Sequence, residues 1–300
     1  MIVSYKWTAG LSLLLSSLTA AAAPAQLSLV VFDHDPLRTP TTSISEGSVG
    51  ERLRWELDAP KFNGDAPGSL RALYRSDLPS ARLGWSTTTP LTERDAFTLW
   101  TIVTIESEDF AADPFGFHQI SWGLWNAGTT GLQRTGTPTN FAADTFDLLE
   151  WDYFPNVSPF FGGPFVTPTA FGAANRQDPF FDLFGAFTNV SFGSVEYPLP
   201  LDQPLLVSLE HDPTTQRLRT QIWLIAADGS LQLAVDATAL AAIDALPLAQ
   251  FDLTRFGLTL WQDGFTGPTP SLQAVVRFEA IGLWLGSLPL EITDIGRLLQ

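Results

Sequence analysis

The sequence predicts an all-β chain folded as a two-sheet antiparallel β-sandwich with one or two short helices. Three observations carry that prediction. Apolar residues alternate at a period of two over most of the chain and rarely at 3.6. Turn signals such as Asn63-Gly64, Asp228-Gly229 and Asp263-Gly264 separate the runs. Prolines and glycines punctuate the whole length instead of gathering at one junction, which argues for a single domain over 26–300.

The first 25 residues read as an export signal. Lys6 is the lone early charge, 11–18 is a short apolar core, and 19–26 is a run of small residues with Ala-x-Ala spacing. Cleavage after Ala22 or after Ala25 fits the pattern; Ala25 is preferred because it leaves Gln26, with no proline just past the cut. The apolar core is far shorter than the roughly 20 residues of a membrane span, so no transmembrane span is expected and the mature protein is expected to be secreted or periplasmic.

The mature chain is expected to place strands at 27–32, 53–57, 70–74, 97–105, 118–125, 146–154, 190–197, 205–211, 218–225, 231–235, 256–261 and 272–285. About a dozen such strands with hairpin punctuation argue for two packed antiparallel sheets. The stretch 236–246 reads as a short helix with Asp236 as N-cap and Pro247 beyond its end, and 290–299 as a second short helix or a tail. With no cysteine, an exported chain must draw stability from a large core, and 22 Phe and 10 Trp can build one.

Charge narrows the partners. The formal charge of −16 becomes about −17 once Lys6 is removed with the signal, which argues against nucleic acid, whose phosphates call for basic patches. It suits solubility outside the cell. No dinucleotide fingerprint, phosphate loop or Gly-x-Ser-x-Gly elbow is present.

The chemistry-bearing residues concentrate in two places. In 146–155, FDLLEWDYFP, strand alternation puts Phe146, Leu148, Glu150, Asp152 and Phe154 on one face and Asp147, Leu149, Trp151 and Tyr153 on the other. Glu150 and Asp152 are therefore a paired-carboxylate candidate beside aromatics. In 117–136, His118, Trp122 and Asn126 share one parity, Gln119 and Trp125 the other, and a Gly/Thr-rich loop runs to Arg134. Trp122, Trp125 and Tyr153 are the residue types on which sugar rings stack, and His118, Asn126 and Arg134 those that hydrogen-bond hydroxyls. Trp122 and Trp125 are equally the types that fill a core. Asp33 and Asp35, at alternate positions in Phe32-Asp33-His34-Asp35-Pro36, are an oxygen-rich candidate for calcium, but with no full ligand loop around them a solvated turn is the favoured reading. His34, His118 and His211 are too scattered for a zinc hydrolase. The Phe/Gly/Pro-rich stretch 160–187 is too irregular for one strand and is expected to cover a sheet edge.

Strand order, Tyr74-Arg75, the Gly-Leu-Trp-Asn run at 123–126, Glu-Trp-Asp-Tyr at 150–153 and a long late strand at 271–285 together resemble the concanavalin A-like lectin and glucanase superfamily. The resemblance implies a jelly roll, a concave carbohydrate-facing sheet and often a structural calcium. In its family 16 glycoside hydrolases, the Glu-x-Asp-x-x-Glu motif or its one-residue-shorter variant would map the nucleophile onto Glu150 and its helper onto Asp152. Phe154 and Pro155 stand where the acid/base glutamate belongs. Retaining hydrolysis needs two carboxyl groups about 5 to 5.5 Å apart, one of which delivers a proton. The expectation is accordingly a noncatalytic protein that binds a carbohydrate or surface polymer. The alternatives are a glycoside hydrolase or polysaccharide lyase using Glu150 and Asp152, and a structural envelope protein.

Overall fold

Among the described residues, alternating apolar residues become sixteen strands: β1 (Gln26–Val31), β2 (Ser43–Gly47), β3 (Leu53–Glu56), β4 (Ser69–Arg75), β5 (Ala81–Thr92), β6 (Phe97–Phe110), β7 (Ile120–Trp125), β8 (Leu148–Phe154), β9 (Phe165–Phe171), β10 (Val190–Phe192), β11 (Val195–Glu196), β12 (Leu205–Asp212), β13 (Arg217–Ile225), β14 (Leu231–Ala237), β15 (Asp252–Leu260) and β16 (Leu272–Leu285). A single turn of helix, α1 (Val49–Arg52), precedes β3. This computed structural model describes residues 26–38, 43–57, 62, 68–75, 77–110, 119–132, 146–155, 164–172, 190–192, 194–215, 217–237, 251–262 and 272–286. The expected signal segment, residues 238–246 of the expected 236–246 helix, the tail at 290–299, His118 and Arg134 lie outside the described residues.

Two eight-stranded antiparallel sheets result. Sheet A runs β14-β13-β12-β6-β16-β4-β3, with β1 beside β4 on the long β16; sheet B runs β10-β9-β8-β7-β15-β5-β2, with β11 also on β9. This is the two-sheet antiparallel β-sandwich that the sequence predicts. Phe97, Leu99, Val207, Phe278 and Ile281 from sheet A meet Leu83, Trp122, Leu149, Trp151 and Leu258 from sheet B in one continuous core. Trp122 stacks on Trp151 with ring centroids 4.1 Å apart and meets the edge of Phe278.

Two polar staples cross this core and set how the sheets sit on each other. Trp151 Nε1 donates to Thr220 Oγ1 at 2.9 Å, and Tyr74 Oη donates to Ser121 O at 2.7 Å. Burial pushes the Tyr74 phenol far above its ordinary range, so it stays a neutral donor.

Several sequence expectations change. Asp147 takes a positive φ of 50°, so β8 begins two residues later than expected, at Leu148. The expected strand over 190–197 is two short pieces, β10 and β11. Asp236 is not a helix cap: it lies in β14 and binds the Arg219 guanidinium at 2.8 Å. Strands β2, β5 and β9 were not anticipated. Both longer ones contain a proline, Pro90 in β5 and Pro168 in β9. Pro90 falls where β5 bulges away from β15, between the Ser86 and Leu91 pairings. The strands flanking β9 on its outer side pair with 165–166 and 169–171 and leave Thr167 and Pro168 unpaired there. Proline is tolerated in a sheet at such interruptions.

Candidate functional site

The face of sheet B that points away from sheet A carries the paired carboxylates. Strand parity holds as expected: Leu149, Trp151 and Tyr153 enter the core, while Leu148 joins Trp125, Phe171 and Trp261 in a separate apolar cluster on the outer face. Glu150 and Asp152 share that outer face.

Register builds two transverse rows there. In one, Thr167, Asp152, Ser121, Thr259, Arg82 and Glu46 lie side by side across β9, β8, β7, β15, β5 and β2. In the next, Thr169 and Glu150 are followed by Gly123, Gly257 and Gly84. The glycines make room for long neighbours. A Cβ on Gly123 would stand 3.0 Å from Glu150 Cγ, and one on Gly84 would run into the Trp125 ring. Glu150 accordingly reaches over β7, and its Oε1 accepts from Thr259 Oγ1 at 2.5 Å and Trp261 Nε1 at 2.8 Å.

Both carboxylates are sealed from solvent, Glu150 and Asp152 at 0% exposure, and Trp125 and Trp261 beside them are buried too. Arg82, also buried, lies 5.0 Å from the Trp261 ring and 5.7 Å from the Trp125 ring. Its Nη1 donates to Thr130 O at 3.0 Å, its Nη2 to Gly131 O, and Glu46 Oε2 lies 3.5 Å away. Trp261 thus sits between a carboxylate that accepts from its N–H and a guanidinium over its ring. A charge taken out of water needs this density of partners.

The same arginine anchors the turn after β7. Asp147 Oδ2 accepts from Thr129 Oγ1 at 2.6 Å and its Oδ1 from Asp252 N at 3.2 Å. Asn126 spends both ends of its amide on backbone, donating to Asp252 O at 2.7 Å and accepting from Gly128 N at 2.7 Å. Above these anchors Ala127, Gly128 and Thr129 are exposed. Next to them, Ala127 N donates to Thr254 Oγ1, and Arg255 Nη1 donates to Ser86 Oγ at 2.8 Å. Ser86, Thr88 and Thr89 are exposed as well. The outcome is a rim of hydroxyls and backbone amides with one guanidinium, held from beneath by buried charges.

Three placements correct the sequence expectations. Trp122 is no ligand platform: its parity turns it into the core against Trp151. Tyr153 is likewise a core residue, its hydroxyl accepting from Leu199 N at 3.2 Å. Asp33 and Asp35 are not gathered as metal ligands. Asp33 pairs with the exposed His34, while Asp35 accepts from Leu37 N at 3.0 Å and pairs with Arg38 at 3.3 Å. Among the described residues no group of three or more His, Asp or Glu is placed to hold a metal ion. Of the remaining candidates, Trp125 is on the expected face but covered, and Asn126 is consumed by the turn. Arg82, Glu46 and Trp261 were missed. The parity that Trp261 shares with Thr259 was readable; Arg82 and Glu46 lie in strands the period did not reveal.

No protein-family model matches the chain, and no curated protein sequence does. Solved structures similar to it include the Emp47p carbohydrate recognition domain, at 12% identity and a TM-score of 0.43 over 79% of this chain and 89% of that one. The winged bean acidic lectin is similar at 11% identity and a TM-score of 0.42, over 87% and 100%. The alginate lyase of Aplysia kurodai follows at 13% identity and a TM-score of 0.44, over 81% and 98%. Likenesses this loose carry no argument about ligand or reaction.

Proposed function

We propose that the protein is a noncatalytic binder of a neutral carbohydrate or surface polymer, exported from the cell, which engages its ligand at the hydroxyl-rich rim formed by 127–129, Ser86, Thr88, Thr89 and Arg255. The carrying observation is the division of labour on sheet B. Glu150 and Asp152 are sealed at 0% exposure, with Glu150 already bonded to Thr259 and Trp261, so neither presents an oxygen to a polymer chain. The rim offers hydroxyls, backbone amides and the Arg255 guanidinium beside a preorganised turn, which lowers the ordering cost of binding.

The test is incubation of the mature protein with a panel of soluble and insoluble polysaccharides, following both protein depletion and newly released reducing ends. Depletion without released ends is expected, weakened by Thr129→Trp, which blocks the rim, and unchanged in Glu150→Gln. Released ends that vanish in Glu150→Gln would overturn the reading in favour of an enzyme. The burial of the carboxylates and of Trp125 also favours a second reading, a structural envelope protein, and absence of depletion across the panel would select it.

A further inference from the structure

At the opposite rim of the interior from Tyr153, a buried histidine holds the crossover between the sheets. β5 in sheet B ends at Thr92, β6 in sheet A begins at Phe97, and the turn between them is closed by Asp95, whose Oδ2 accepts from Thr92 N and Thr92 Oγ1, both at 2.8 Å. The Asp95 carbonyl faces inward and accepts from His211 Nδ1 at 2.7 Å. His211, 1% exposed, is stacked on Phe97 at 5.1 Å and meets the edge of Phe251 at 5.4 Å. Its Nε2 has no hydrogen-bond partner among the described residues.

We propose that His211 is an acid-sensitive latch: the neutral imidazole clamps the β5–β6 crossover onto the core, and gain of a proton releases that end of the sandwich. An imidazolium here would place a charge between two phenyl rings with a second N–H and no described acceptor. The titratable groups facing it are Asp95 and Glu93 on the crossover and Asp212 on its own strand. Each has other work. Asp95 caps the turn, Glu93 pairs with Arg94 at 3.5 Å, and Asp212 accepts from Thr214 N and Thr215 Oγ1. Their charges favour protonation, yet burial is the largest influence and lowers the histidine below its ordinary 6.5. The sign follows. The unfolded chain takes up a proton near 6.5, the folded one later, so stability present above 6.5 is lost as pH falls below it.

The test is hydrogen–deuterium exchange of the full chain between about pH 7 and 5, corrected for intrinsic exchange rates. Protection of Asp95 N, which donates to Thr92 O, and of Gly286 N, which donates to Ala96 O, is expected to fall with pH, while amides around Tyr153 keep theirs. The fall is limited to about tenfold per pH unit for one proton. In His211→Gln it is expected to disappear. Constant protection, a fall shared by the whole chain, or the same fall in His211→Gln would each overturn the proposal. Should that variant not fold, the imidazole is followed by NMR in the wild-type protein. Titration below 6.5, in step with the loss of protection, supports the latch; titration at or above 6.5 overturns it.

Discussion

The two faces of β8 are equally dry but are held by different forces. Inward, Leu149, Trp151 and Tyr153 are packed by dispersion and apolar burial, with Trp122 lying flat on Trp151. Outward, Glu150 and Asp152 are as buried as the tryptophans, but Glu150 stands on directed bonds from Thr259 and Trp261. The difference teaches that burial alone does not identify a core. The inner face needs groups that fill its volume, and only at Trp151 and Tyr153 does it add a directed bond, to Thr220 and from Leu199. The outer face tolerates only groups that keep its donors engaged.

Truncation of the inner face is expected to have the largest effect. Trp151→Ala removes the stacked ring and the donor to Thr220 and should cost about 3–5 kcal/mol, read from the midpoint of urea unfolding. An effect below that of the outer-face change would break the comparison. Next, Glu150→Ala leaves the Trp261 N–H without its acceptor, while Thr259 Oγ1 still has Ser121 Oγ at 3.0 Å, and should cost about 1–3 kcal/mol, whereas Glu150→Gln, which keeps an acceptor oxygen, should cost less. Equal losses for the two variants would mean that the negative charge, which both remove, and not the acceptor oxygen or the volume, governs the outer face. The smallest effect concerns Glu108 near the far end of β6, which burial pushes up to about 7 from 4.5. A carboxyl with a raised pKa gives stability that is complete below 4.5 and is lost as pH rises to about 7. The wild-type chain should therefore lose stability relative to Glu108→Gln across that window, and a pH-independent difference would place Glu108 in water.

Much of this was legible from residue order alone. The period of two located twelve of the strand regions and put Glu150 and Asp152 on one face, because alternation on a strand is a geometric necessity. Which face looks inward was not legible, since Trp122 and Trp125 are both tryptophans and both end up buried. Nor were β5 and β9, whose Ser-Thr-Thr-Thr-Pro and Thr-Pro-Thr runs read as loops until neighbouring strands supply hydrogen bonds. With β5 unseen, Arg82 had no place in the pattern, and the network joining it to Trp261 and Glu150 stayed hidden.

The interruption opposite Pro168 has a consequence for the company the molecule keeps. Among the described residues, sheet B continues beyond β9 as the three residues of β10 and the two of β11, separated at the point where β9 leaves Thr167 and Pro168 unpaired on that side. A border broken into pieces this short presents no continuous ladder of amides and carbonyls on which a second chain can template. An all-β protein rich in Phe and Trp thereby offers little purchase for fibrillar self-association along the described part of this border.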